Sequence, residues 1–385
     1  MTPDSRKCLF VVILDGVSYD LAHASGGLDR FDESAPLRTV LGYSVAAQSS
    51  ILTGVSPAQH GGFCMYYRSD SSFLKWARYW QYLHPGLKWR LGGRVGLQNV
   101  LRRIFGISGY FDLYKIPDSL IECFDLYEHT AMYEADSLGE HPTFLQTARQ
   151  SGYAVKTWDW RDEFEDALDE ANAAASSSEA DVYLLYTCET DTLLHGSKHD
   201  ETTIEKLGEY FEKVDKLFEA ASASCGDVQM LVLSDHGMKE VKDTVDVMGL
   251  LEKIPFKIGK DYMAFYDATM ARFWFSSDKC RESIVSALDD IPSIKRLSDQ
   301  YLKDEGCLFA DRRYGEEIFL ADPGVVICPS YYGGSPTLGM HGYAPDSQGY
   351  DAFVASKNIS LQGVSTVCDI SNLIVNALNC GKQES

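Results

Sequence analysis

Apolar residues run without interruption in three short stretches, LFVVIL at 9–14, VYLLY at 182–186 and MLVLS at 230–234, and each stops at a polar turn. Runs of strand length without polar alternation suit strands covered on both faces, as in a parallel sheet. Between them the period changes. WRDEFEDALDEANAA at 160–174 and TTIEKLGEYFEKVDKLFEAA at 202–221 read as helices, the second placing Ile204, Leu207, Phe211, Val214 and Leu217 on one face and its charges in solvent. With a further strand near AVKTW at 154–158, strands and helices alternate, which predicts an α/β fold with a largely parallel central sheet flanked by helices. Upstream, LRTVLGY at 37–43 reads as a strand leading into a short helix, AAQSSILT, that Gly54 stops. Over 249–329 the pattern shifts to ARFWF, a helix around SIVSALDD, and EEIFL, predicting a small α+β subdomain within a single domain spanning 1–385.

One segment departs from this alternation. Residues 66–130 read as a cap inserted into the domain, and its stretch 71–111 holds no acidic residue. That stretch carries Lys75, Arg78, Lys88, Arg90, Arg94, Arg102 and Arg103, interleaved with Trp76, Trp80 and Trp89. Phe73, Trp76 and Trp80 fall at helical spacing, which predicts an amphipathic helix with its aromatic face packed down. The alternative is a lid that offers cations and stacking surface to a large anionic ligand. A formal net charge of −21 disfavours general adhesion to nucleic acid or anionic membranes, although the basic segment leaves single-stranded nucleic acid open. LFVVIL is too short to span a membrane and MTPDSRK lacks the apolar core of a signal peptide, so the expected compartment is the cytoplasm. Ten cysteines without a C-x-x-C pair agree with a reducing environment, and Cys8, Cys188 and Cys328 read as small hydrophobes beside strands. The oligomeric state is left open.

Candidate chemistry sits where the apolar runs end. Asp15 follows the first, Asp191 and His195 the second, Asp235 and His236 the third, and His341 stands in GMHGY. The carboxyl ends of parallel strands share one sheet edge, where open α/β sheets bind ligands, so these distant residues would meet. Carboxylates mixed with imidazoles suit two divalent metal ions, Zn2+ first and Mn2+ as the alternative. Asp191 and His195 are four positions apart, so one helical turn or a compact loop would aim both at one ion. Each fragment alone is an ordinary polar turn; their joint placement points to a two-metal hydrolase. Ser44, at the junction of predicted strand and helix, is the candidate nucleophile, because a hydroxyl there meets free N–H groups and the positive helix end. Ser49 and Ser50 compete, but the helix carries them away from its first turn. His60 and His199 lie near the inferred site, and Tyr343 and Asp346 are candidates to orient His341.

The order of these fragments resembles the alkaline phosphatase superfamily over nearly the whole chain, most closely its type I phosphodiesterase and nucleotide pyrophosphatase branch. In that branch the nucleophile precedes by ten residues the Gly of a T-G-x-x-P-x-x-H-G segment, a spacing matched by Ser44 and Gly54 of TGVSPAQHG. The resemblance implies an alkaline-phosphatase-like sandwich in which Asp191, His195 and His341 hold one ion, while Asp15, Asp235, His236 and the Ser44 oxygen hold the other. It implies hydrolysis of a small organic phosphate through a covalent phosphoseryl intermediate, first as a phosphodiesterase or pyrophosphatase. The alternatives are a phosphomonoesterase, phosphonate hydrolase or phosphotransferase with the same metals, or a binding protein without turnover. YSVAAQS lacks the Pro and Arg that a sulfatase needs. Met65 stands about where nucleotide pyrophosphatases have an Asn that bonds the phosphoryl group, with Tyr66, Tyr67 or Arg68 as replacements and His199 as a further substrate contact.

Overall fold

The computed structural model describes residues 7–380, so MTPDSR of the leader reading lies outside the described residues. A six-stranded sheet forms the centre, built from β1 (Lys7–Leu14), β2 (Glu33–Leu37), β3 (Val155–Trp158), β4 (Val182–Thr187), β5 (Asp227–Leu233) and β6 (Ala352–Lys357) in the order β2-β6-β5-β1-β4-β3. The four strands from β5 to β3 are parallel, with Val11 of β1 opposite Leu184 on one side and Leu231 on the other. β6 is antiparallel to both of its neighbours. The uninterrupted apolar run of β1 has a direct cause, because both of its faces are covered. Phe10, Val12 and Leu14 pack with the helices Phe164–Ser176 and Glu201–Ser224, while Leu9, Val11 and Ile13 pack with Ser44–Thr53, Phe144–Gln150 and Asp369–Cys380.

Two local expectations are corrected. The second strand is ESAPL at 33–37, and LRTVLGY contributes to it little beyond Leu37. Pro36 fits because β2 is an edge strand, where a missing N–H costs no ladder bond on the open side. Phe73–Tyr82 winds as a 3-10 helix instead of an α-helix. Three residues per turn put Leu74, Ala77 and Trp80 on the buried side and turn Trp76 outward, so the expected Phe73, Trp76 and Trp80 face does not form.

A second, antiparallel sheet orders Tyr262–Tyr266, Met270–Phe275, Glu317–Ala321 and Ile294–Arg296 side by side. It shares one apolar core with the segment that includes Leu74, Leu97, Phe111 and Phe124. Inside that junction Arg272 is fully buried. Its guanidinium donates to both carboxylate oxygens of Asp267, at 2.6 and 3.2 Å, and to the carbonyl of Tyr66 at 2.8 Å. The pair therefore ties the small sheet to the strand Tyr66–Arg68. Cys64, Cys280 and Cys307 are free, buried thiols. Among the described residues no helix is long and apolar enough to cross a membrane.

Asp267→Asn, which leaves the Arg272 charge buried without its counter-charge, is expected to lower stability by about 3–5 kcal/mol in urea unfolding. A loss below about 1 kcal/mol would show that the guanidinium is satisfied by other groups.

Candidate active site

Because β5, β1 and β4 are adjacent and parallel, their carboxyl ends form one edge. Asp15 follows β1, and Asp235 with His236 follows β5. The chain leaves β4 into the helix Glu189–Gly196, whose consecutive turns carry Asp191 and His195 with Nε2 to Oδ2 at 3.3 Å. Of the two arrangements open from the spacing, the helical turn is the one present. Gly16 has φ +76°, and a Cβ there would come within 3.0 Å of Asp191 Oδ1, so the turn after Asp15 requires glycine. Gly342 plays the same part beside His341, with φ +86° and Thr269 Oγ1 2.7 Å from where a Cβ would stand.

Two sets of donors converge. Asp15, Asp235 and His236 form one, and Asp191, His236 and His341 form the other, with donor atoms in each set within 4.8 Å of one another. The imidazoles of His236 and His341 stack at 4.0 Å, and His195 lies 5.2 Å from His341. His195 Nδ1 is 2.7 Å from the carbonyl of Gly339, a bond in which the nitrogen must donate, so Nε2 is the ring nitrogen turned toward Asp191. Burial and the charges of Asp235 and Asp191 hold the Asp15 carboxyl well above the usual carboxylate range. Burial also acts to raise Asp191, but bonding to His195 and the nearby imidazoles bring it below that range. Burial and the neighbouring His236 push His341 well below the usual imidazole value. Three buried or half-buried acidic groups thus meet where no lysine or arginine hydrogen-bonds to them among the described residues. Asp15 Oδ1, Asp191 Oδ1 and His341 Nδ1 are buried without a hydrogen-bond partner, which fits donor atoms turned toward cations.

Ser44 opens the helix Ser44–Thr53, with its Oγ 2.9 Å from His236 Nε2. Ser49 instead meets Tyr127 and Met132, and Ser50 meets His60 Nε2 at 3.0 Å, so both competitors point away from the site. His60 is a core histidine, lowered to about 3 by burial, whose Nδ1 accepts the N–H of Gly62. The proposed substrate contacts are not gathered here. Tyr66 is fully buried and donates to the Asp112 carbonyl, and Arg68 joins the Arg313 carbonyl through its backbone N–H. His199 lines a separate cleft with Ser18, Asp20 and Lys239. Tyr343 donates to the Val325 carbonyl and does not orient His341.

Sequence reasoning missed the groups that hold the acids in place. Gln48 Nε2 spans Asp235 Oδ2 at 3.1 Å and Asp15 Oδ2 at 3.4 Å, and its Oε1 accepts from Tyr133. Tyr186 also donates to Asp15 Oδ2, while Thr39 and Thr190 bond the carbonyls of Asp235 and Asp15. Gln48 lies one turn after Ser44 on the same helix, the one signal from which it could have been found. An aromatic row leads outward, from Tyr43 edge-on to His341, to Tyr332, to Tyr114 at 4.4 Å from Tyr332.

A parallel sheet with this cluster of carboxylates and imidazoles at its carboxyl edge defines a metal-dependent α/β hydrolase. The sequence model of the type I phosphodiesterase / nucleotide pyrophosphatase family matches residues 9–344, and the chain belongs to that family, within the alkaline phosphatase superfamily. It is accordingly an enzyme that hydrolyses ester bonds. Among solved structures, murine ectonucleotide pyrophosphatase / phosphodiesterase 5 aligns with TM-score 0.68 and 14% identity over 97% of this chain and 95% of its own. An inactive form of the same murine protein in complex with AMP aligns equally well. Phosphonoacetate hydrolase from Sinorhizobium meliloti 1021, bound to phosphonoformate, aligns with TM-score 0.63 and 14% identity over 97% of this chain and 96% of its own. These likenesses bear out the α/β expectation and the superfamily fold. No curated protein sequence matches the chain.

Gln48→Leu removes the amide that spans two acids without touching the donor atoms themselves. It is expected to weaken divalent-metal affinity about 10–100-fold in a chelator competition. Unchanged affinity would show that Gln48 has no part in holding the cluster.

Proposed function

We propose that the enzyme is a two-metal phosphodiesterase acting on a small organic phosphate, with Ser44 as nucleophile. Asp191, His195 and His341 would hold one ion, and Asp15, Asp235, His236 and the Ser44 oxygen the other. The donor chemistry favours Zn2+, with Mn2+ the alternative. Bound cations of this kind supply Lewis-acid charge to phosphoryl oxygens and to the attacking and leaving oxygens.

The observation that carries the reading is the position of Ser44, whose Oγ sits at the first turn of its helix and reaches the donor set at His236. The free N–H groups at this helix end favour an anionic oxygen on Ser44 and the phosphoryl group beside it. Attack of Ser44 Oγ on phosphorus forms the Oγ–P bond as the bond to the leaving oxygen breaks, giving a phosphoseryl enzyme, and the proton that Ser44 gives up ends on the leaving oxygen. Water then attacks phosphorus from the opposite side and returns the Ser44 hydroxyl. Gln48, Tyr186, Thr39 and Thr190 keep the acids in register through both steps. Tyr43, Tyr332 and Tyr114 offer an aromatic wall to the leaving group.

The absence of lysine or arginine bonded to the cluster, among the described residues, favours a diester over a monoester, whose extra charge needs a cation. Met65 packs against the core and supplies no donor to a phosphoryl oxygen, which supports a substrate other than a nucleotide. The buried thiols support the cytoplasm as the compartment.

With metal-loaded enzyme and an aryl phosphodiester, Ser44→Ala is expected to lower kcat at least about a thousandfold while retaining bound metal. Cleavage of the matching monoester in preference to the diester would favour the phosphomonoesterase alternative. Turnover surviving in Ser44→Ala would remove Ser44 as nucleophile.

A further inference from the structure

Nine of the twelve large hydrophobic side chains that stand exposed among the described residues lie within 76–104. Singly scattered exposed hydrophobes are ordinary, but nine within one segment of the chain are not. Trp89 is 82% exposed and Tyr82 78%, and the helix Pro85–Arg90 buries none of its residues. So short a helix does not stand by its own propensity, and none of its side chains is sunk into the core. The following helix, Gly93–Phe105, anchors itself through Leu97 and Leu101 and presents Val95, Val100 and Ile104 to solvent.

The charge of the patch selects its partner. Lys88 and Arg94 are paired with Asp118 and Arg78 with Glu122, but Lys75, Arg90 and Arg103 are exposed and form no ion pair among the described residues. From 71 to 111 there is no acid to offset them. The net charge of −21 does not cancel this island, because charges beyond a screening length of about 8 Å are largely hidden at physiological salt. A second copy of the chain seated symmetrically on the patch would oppose the same cations to one another. Single-stranded nucleic acid would use the cations and rings but leave Val95, Val100 and Ile104 uncovered. Tryptophan, tyrosine, aliphatic side chains and unpaired cations together match the boundary between acyl chains and anionic headgroups.

We propose that residues 73–105 form a membrane-surface docking site that seats the enzyme on an anionic lipid bilayer. Trp76, Tyr82 and Trp89 enter the headgroup region with Val95, which lies on the side of its helix away from Leu97 and Leu101, and Lys75, Arg90 and Arg103 meet lipid phosphates.

The test is co-sedimentation of the full chain with phosphatidylcholine vesicles, with and without phosphatidylglycerol. The chain is expected to pellet with the anionic vesicles and not with pure phosphatidylcholine, less so at high salt, with its tryptophan emission shifted to shorter wavelength. A Trp76→Ser/Trp89→Ser variant and a Lys75→Glu/Arg90→Glu/Arg103→Glu variant should each lower the apparent affinity about tenfold or more. Both should keep the wild-type thermal melting profile; if the tryptophan variant does not, the charge-reversal variant, confined to exposed cations, decides. Absence of pelleting, or equal pelleting by a variant that folds as wild type, overturns the proposal. So does a dimer or a single-stranded DNA complex that these variants dissolve while vesicles bind nothing.

Discussion

Carboxylates of like charge, brought together out of water, set the terms for this molecule. Asp15 and Asp235 are buried at the ends of adjacent strands, and Asp191 faces them from the helix after the next strand. Without cations such a group resists full ionisation, and Asp15 shows it, its carboxyl held well above the usual range by burial and by its two acidic neighbours. The cost is local, so the surroundings must hold the acids against their repulsion. The amide of Gln48, the hydroxyls of Tyr186, Thr39 and Thr190, and the N–H of Gly16 do so, while Asp15 Oδ1 and Asp191 Oδ1 stay free of hydrogen bonds. A site that bonds most of its acidic oxygens and leaves selected ones facing inward is organised for divalent cations.

The same constraint explains why the domain needs its second sheet. His341 arrives from beyond that sheet, and its position is set by the turn at Gly342, whose carbonyl accepts the hydroxyl of Thr269 at 2.9 Å. Thr269 precedes the strand Met270–Phe275 that carries Arg272, so the buried Arg272–Asp267 pair stabilises the same corner that delivers His341 and Tyr43. The segment 73–105 packs on this core. Leu74, Leu97 and Leu101 of that segment belong to the packed interior, while its Trp76, Trp89, Lys75, Arg90 and Arg103 stand in solvent. One element thus serves the core on one side and a surface on the other.

Much of this was legible in the chain because burial on both faces leaves an uninterrupted apolar run, as in β1, β4 and β5, and because the acids follow those runs directly. The helix after Tyr43 was also legible and ends at Gly54 as expected, although it begins at Ser44, two residues before AAQSSILT. The edge strand Glu33–Leu37 was not: it is half-exposed, contains Pro36 and shows no apolar run. The 3-10 winding of Phe73–Tyr82 was hidden because Phe73, Trp76 and Trp80 fit a 3.6-residue period just as Leu74, Ala77 and Trp80 fit a period of three, and the spacing of apolar residues alone does not choose between them. Tyr186 and Tyr133 looked like core aromatics, and Gln48 like an ordinary helix residue. Their hydroxyl and amide groups gain meaning when the acids meet in space. Tyr66 and Arg68 were drawn toward the site as replacements for the Asn whose place Met65 takes, yet from Met65 on the chain enters the core shared with the small sheet.

Anomalous diffraction at the zinc edge from zinc-loaded crystals tests the central claim most directly. Two peaks are expected, one ringed by Asp191, His195 and His341 and the other by Asp15, Asp235, His236 and the Ser44 oxygen. A single peak shared through His236, or none at this sheet edge, would contradict a two-metal site and the hydrolysis built on it.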